Sequence, residues 1–367
     1  MKFKSLFILL LLSVITFAGC TGTRQFVASA GWSGVASDSA GELVYVGSKD
    51  GRVLALNAKT GGQRAIYPPL NQDPLEGIYG TPTVTDHAIL ISGYDGKLYA
   101  LNPIDLSLRW QFPHDISTVG RIVGSSTVAD GLVVFGASDG FVRAVKLSDG
   151  SLMWKYQTEH KVWSTPTVKN GTVYVGSLDH HLYAISLADG TLNWTAPFKA
   201  GGAIVVEPLV IDGKIIFGSF DANLYAVEYR SGDEIWRVKG DGWFWSSPIS
   251  DGERVFAIST SGTTYSIDLS TGMVLGTYEL DAQTLSKPVL AGNNLIVGSD
   301  DGLLSVLDRG TMQLTSQYDV GAEVRAPLQM NGSVVYVHAM DSTVWALRMA
   351  GRQEKVWQIN TEDLTEG

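Results

Sequence analysis

Apolar and polar positions alternate along this chain in short runs, with a period of two and no sustained helical period. Val173-Tyr174-Val175-Gly176-Ser177 is followed by Leu182-Tyr183-Ala184-Ile185, and Ile215-Ile216-Phe217-Gly218-Ser219 by Leu224-Tyr225-Ala226-Val227. Alternation of this kind marks half-buried strands. Asn170-Gly171 and Asp189-Gly190 punctuate the runs with residues that accept the positive φ of hairpin turns. The pattern then recurs. A turn residue appears at Asp50, Asp95, Asp139, Asp179, Asp221, Ser261, Asp301 and Asp341, in steps of 40 to 45 residues. Thirteen residues upstream stand Pro82, Ser126, Pro166, Pro208, Pro248 and Pro288, with Val35 and Pro327 in the outer copies. Fifteen residues downstream stand Trp110, Trp154, Trp194 and Trp236, and Trp357 follows its anchor by sixteen. Each unit reads as four short strands, so eight units predict an all-β chain with almost no helix. Strand counting leaves an open solenoid possible, but four-strand units of this length favour closure into an eight-bladed β-propeller of antiparallel blades.

The first residues follow a different pattern. Lys2 and Lys4 precede an apolar run from position 6 to 17, too short for a permanent membrane-spanning helix, so a signal peptide is expected. The only cysteine closes Phe17-Ala18-Gly19-Cys20, which resembles a bacterial lipobox with Cys20 as the lipidated residue. Acyl chains on Cys20 would hold the mature protein at a membrane surface outside the cytoplasm. The expected organisation is a signal peptide at 1–19, lipidated cysteine and linker at 20–31, propeller at 32–360 and a tail at 361–367. Whether residues 24–29 add a strand to the last blade is left open.

Composition narrows the function. The 41 glycines against 12 prolines in 367 residues suit many tight turns. A net charge of −10 argues against nucleic-acid binding. One cysteine excludes a disulfide framework, a cysteine zinc site and an iron–sulfur cluster. His180-His181 stands where other units have a turn, and no calcium loop, nucleophile elbow or phosphate-cradling motif occurs, so no metal or catalytic site is expected.

The unit V-Y-V-G-S-x-D-G-x-L-Y-A-L, with its T-G turn and Trp, resembles the pyrroloquinoline-quinone (PQQ) repeat from Trp32 to Asn360. The resemblance implies that Trp110, Trp154, Trp194, Trp236 and Trp357 are structural, docking one blade on the next. Within that superfamily, quinoprotein dehydrogenases imply PQQ beside a vicinal cysteine pair and a calcium ion; here there is no second cysteine and no roofing insertion. The lipoprotein of the outer-membrane β-barrel assembly machinery is the more similar branch, in lipobox, length and single propeller. It implies a non-catalytic scaffold without cofactor, monomeric on its own, that contacts an envelope protein such as a barrel-assembly component. That branch has a long acidic connection which the short segments 158–164 and 239–246 lack, and 120–124 and 323–327 echo its docking segments only faintly. The alternative reading is a PQQ-dependent dehydrogenase or small-ligand sensor using the propeller funnel.

In a propeller, residues just before the inner strand converge on the central channel. That rule gathers Trp32, Tyr79, Trp163, Trp245, Glu207, Lys287 and Arg325, with Arg121 close by. The bland expectation is aromatics packed between inner strands and charges paired across the pore. The functional one is a binding rim, since aromatics and Arg concentrate binding energy. In Gly242-Trp243-Phe244-Trp245, one aromatic fits the repeat, and Trp243 and Phe244 are expected to be a surplus, exposed pair.

Overall fold

The computed structural model describes residues 31–349 and 353–365. Cys20, the signal peptide and residues 24–29 lie outside the described residues. Eight four-stranded antiparallel sheets follow one another along the chain, each ordered consecutively from inner to outer strand. Blades 1 to 8 span 35–67, 83–112, 127–157, 167–199, 209–239, 249–279, 289–319 and 329–360. Each is therefore one contiguous stretch of chain, and Glu354–Asn360 is the outer strand of the last. The expected eight-bladed all-β propeller is the observed fold. One short 3-10 turn, Glu362–Leu364, is the sole helical element among the described residues. It belongs to the expected tail and packs on the blade 8 to blade 1 core.

The repeated residues explain how blades stack. The glycine ending the second strand faces a buried apolar residue of the segment entering the next blade. A Cβ on Gly47, Gly136, Gly176, Gly218 or Gly298 would come within 3.0 Å of Ile78, Val162, Ile204, Phe244 or Val324 respectively. The docking tryptophans supply the outer contact. Trp110, Trp154, Trp194, Trp236 and Trp357 donate their indole N–H to Leu147, Leu187, Tyr229, Leu269 and Ala58 oxygens of the following blade, at 2.7 to 3.2 Å. Across the sheet, Trp110, Trp154, Trp236 and Trp357 each face an alanine (Ala100, Ala144, Ala226, Ala346), which leaves room for the ring. Beneath each docking tryptophan lies a D-G, S-G or T-G turn whose glycine (Gly150, Gly190, Gly232, Gly272 or Gly61) has positive φ and no space for a Cβ.

Two junctions reverse this arrangement. Ala65 and Gly276 occupy the tryptophan position in blades 1 and 6, paired across the sheet with Ala55 and Ser266. In blades 2 and 7 the turn glycine becomes Leu106 (φ 57) and Met312 (φ 58), both buried. The large side chain has moved across the junction. Among the described residues blade 8 meets blade 1 through Trp357 on Ala58 and through His338, whose Nδ1 lies 2.8 Å from the Ser33 carbonyl oxygen. His338 ends its strand where five other blades place glycine, and burial pushes its imidazole pKa down, favouring the neutral ring.

Candidate functional site

The channel opens at one face as a funnel of about 620 Å³. Its wall carries one residue per blade immediately after the buried apolar position: Trp32, Tyr79, Val123, Trp163, Val205, Trp245, Leu285 and Arg325. A deeper ring holds Thr81, Ser125, Thr165, Glu207, Ser247, Lys287 and Pro327. Pro327 thus stands one place before the position of the other anchoring prolines, and Leu328 fills theirs. Two of the four hydroxyls of the deeper ring tie neighbouring inner strands together: Thr165 accepts from the Ser125 N–H at 2.9 Å and Ser247 from the Glu207 N–H at 2.9 Å.

Charges in the funnel are paired. Lys287 Nζ meets Glu207 Oε2 at 2.7 Å, joining blades 5 and 7 past blade 6. Arg325 is held differently, by Asp300 at 3.1 Å and Glu323 at 2.9 Å at its own junction. A quinone bearing several carboxylates would need free cations, and both cations lining the funnel are already bound to carboxylates. Among the described residues no group of three or more His, Cys, Asp and Glu side chains is arranged to hold a metal. His180 sits exposed in a turn at φ 76, and His181 turns to Asp179 at 3.2 Å.

Around the mouth, several junctions bring together three side chains: the residue before one blade's turn Asp, and two from the next blade's incoming segment. Between blades 5 and 6 these are Phe220, Trp243 and Trp245. Phe220 stacks on Trp243 at 4.8 Å and 10° and on Trp245 at 5.4 Å and 20°. An aromatic pile therefore runs from the funnel wall to the surface, ending in Trp243, which is 53% exposed. Between blades 3 and 4, Trp163 donates to Ser138 Oγ at 3.0 Å with the Lys161 ammonium 5.9 Å from its ring. Between blades 2 and 3, the Arg121 guanidinium lies 4.7 Å over Tyr94, which leans on Tyr79 at 4.8 Å. Tyr79 in turn meets the edge of Trp32 at 4.8 Å. Arg121 is exposed outside the funnel wall rather than lining it.

The structure corrects one expected rim residue. Phe244 is 0% exposed and lies in the core, not at the surface. Along an extended segment, successive side chains alternate, so Trp243 points outward, Phe244 inward against Gly218, and Trp245 to the funnel. Phe244 occupies the position of Ile78, Ile122, Val162, Ile204 and Val324, leaving Trp243 as the one surplus aromatic. Sequence reasoning missed Tyr94, Phe220, Asp300 and Glu323. The signal was present in the variable x of the G-S-x-D stretch, which reads Lys49, Tyr94, Ser138, Leu178, Phe220, Thr260, Asp300 and Met340.

The segment carrying Trp243 is anchored by Asp241. Blade 6 has Ser261 in place of the turn Asp, and Asp241 substitutes for it from outside the turn. Its carboxylate accepts from Ser259 at 2.6 Å, Thr263 at 2.7 Å and Tyr265 at 2.9 Å. Burial pushes this carboxyl upward, but the three hydroxyls outweigh it and hold the pKa below the ordinary carboxylate value. A carboxyl lowered on folding stabilises the fold above its unfolded pKa, and that contribution is lost as pH falls through the folded value. Asp241→Asn is expected to destabilise the protein near neutral pH, with the gap to wild type shrinking in acid. Denaturant titrations across pH check this; a gap that widens toward low pH contradicts it.

A family model described as outer membrane protein assembly factor BamB matches residues 18–238, 145–313 and 282–366. No curated protein matches the chain. Among solved structures, BamB from Moraxella catarrhalis superposes with a TM-score of 0.73 at 20% identity, covering 87% of this chain and 95% of that one. The computationally designed protein Ika8 superposes equally well, with a TM-score of 0.74 at 19% identity over 86% of this chain and 95% of its own. At such identities the likeness speaks for the fold alone, as the designed protein makes plain. The family match spans the whole propeller, and on that ground the chain belongs to the family of the outer membrane protein assembly factor BamB.

Proposed function

We propose that this protein is a non-catalytic envelope scaffold, tethered to a membrane through lipidated Cys20, whose funnel mouth docks a protein partner in outer-membrane protein assembly. The observation that carries the reading is the pile of Trp245, Phe220 and Trp243. An exposed indole is normally free to rotate, and ordering it on binding costs entropy. Trp243 is already held flat on Phe220 at 4.8 Å, so a partner meets a preorganised aromatic surface. Membership of the BamB family supports the class of process. The paired state of Glu207, Lys287 and Arg325 favours a docking rim over a reaction centre, because each funnel charge is already matched by an opposite one.

The test is recovery of partners from native membranes after light cross-linking, with tagged wild type compared with Trp243→Ala and Cys20→Ser. Trp243→Ala is expected to keep the fold and lose about 2 kcal/mol or more of partner affinity, on the order of thirtyfold. Enrichment of a barrel-assembly component by wild type and its loss in both variants supports the proposal. Undiminished recovery by Trp243→Ala sinks the rim. A spectral change on titration with PQQ, unaccompanied by any partner, would favour the quinone-dependent alternative.

A further inference from the structure

We propose that the outer edge of blade 6 is a second docking site, which takes an extended strand from a partner, antiparallel and led by a basic residue. It is separate from the funnel mouth, though its meaning as a site of assembly rests on the scaffold reading.

Among the described residues every blade ends in an outer strand with no strand on its far side, an open template for another. Proteins commonly guard such edges with lysine, arginine, proline or a break in the strand. Five outer strands here carry an exposed basic side chain: Arg64, Arg109, Lys155, Arg237 and Lys355 in blades 1, 2, 3, 5 and 8. In blade 4, Pro197 precedes an outer strand of only two residues, Phe198–Lys199. Blade 7 has no cation, but presents Thr315 and Gln317 outward. Blade 6 has no cation, proline or break, and Thr277 is its one exposed polar side chain before Glu279. Its outer strand, Val274–Glu279, is uncharged until its last residue. Met273, Val274 and Leu275 are consecutive and 60, 43 and 44% exposed. Three exposed apolar residues in a row on an open edge are a liability unless something covers them.

Charge selects the occupant. The edge ends at Glu279, followed by Asp281, and Asp319 ends the neighbouring outer strand in blade 7; all three are exposed. Among the described residues none of the three has an ion-pair partner. A second copy of this chain would bring no cation to them, because the same edge contains none, and each copy carries a net charge of −10. An apolar strand running antiparallel to Val274–Glu279 places its leading residues beside these carboxylates, where Lys or Arg completes the pairing.

The probe is a short peptide alternating threonine and valine behind a leading lysine, with a glutamate-led version as control, titrated into the full chain up to millimolar concentration. Hydrogen exchange is expected to slow at residues 274–279 with the lysine-led peptide and much less with the glutamate-led one. Leu275→Lys with Thr277→Lys, both at exposed positions, is expected to weaken binding by about tenfold or more while thermal unfolding stays unchanged. Trp243→Ala is expected to leave this binding intact, so failure of the rim and failure of the edge are distinguishable. The proposal is overturned by absent protection, by equal binding of the double-lysine variant, or by protection confined to the funnel mouth. Concentration-dependent dimerisation abolished by the same two lysines would assign the edge to self-pairing and overturn it as well.

Discussion

Phe244→Ala is expected to lower the stability of the propeller by about 3–5 kcal/mol, while the adjacent Trp243→Ala shifts it by about 0.5 kcal/mol or less. The difference follows from burial. Phe244 fills the space between Gly218 and Gly240, and a Cβ on either glycine would come within 3.0 Å of it. Its ring also packs 5.8 Å from Tyr265. Alanine would leave a void lined by the core of blades 5 and 6, and close-packed interiors relax only partly around such a gap. Trp243 loses only its stack on Phe220 and exposed surface. Denaturant unfolding of both variants decides the matter. If Trp243→Ala unfolds first and Phe244→Ala matches wild type, the inside and outside of this segment have been assigned the wrong way round.

Trp236→Gly is expected to cost at least as much as Phe244→Ala, and Gly272→Met in the same chain is expected to return about 1–3 kcal/mol of it. Trp236 is almost fully buried, donates to the Leu269 oxygen at 3.2 Å and lies against Gly272 (φ 75). The next junction already contains the reversed pair, with Gly276 in the tryptophan position and Met312 in the turn at φ 58. A methionine in the left-handed region is strained by roughly 1–2 kcal/mol, so recovery is incomplete. A double-mutant cycle on unfolding free energies reads the coupling. Strict additivity would show that Met312 and Gly276 merely coexist and do not compensate.

These pairings explain what was legible in the sequence and what was not. The propeller was readable because turn Asp, inner proline and docking tryptophan each recur in at least five of the eight units, so their phase survives local substitutions. The funnel wall was readable from position: Trp32, Tyr79, Trp163, Trp245 and Arg325 share one register and reach one ring. Phe244 was misread because its neighbours were compared by type, not by the volume available. The residue four before it supplies the clue. It is Gly240 before Phe244, but Ala200 before Ile204, Val320 before Val324 and Leu280 before Thr284. The largest side chain of this set, Phe244, follows the smallest, Gly240, whose missing Cβ leaves room for the ring. The partners Tyr94, Phe220 and Asp300 were hidden because each acts across a blade junction, beyond the reach of reading one repeat at a time, whereas Glu323 pairs with Arg325 within one connecting segment.

The reversed pairs at Ala65 with Leu106 and at Gly276 with Met312 also bear on how the chain avoids confusing its own parts. Eight similar sheets made in sequence could stack in the wrong succession, with one skipped or exchanged between neighbouring molecules. Trp154 or Trp236 cannot lie over a turn that carries Leu106 or Met312, since the bulky residue fills the space the indole needs. Ala65 or Gly276 over a bare glycine turn would leave a hole. Each reversed pair therefore rewards one neighbour and penalises the others, giving two of the eight interfaces an address. A ring of interchangeable modules thereby acquires a fixed order, encoded in which side of a joint carries the bulk.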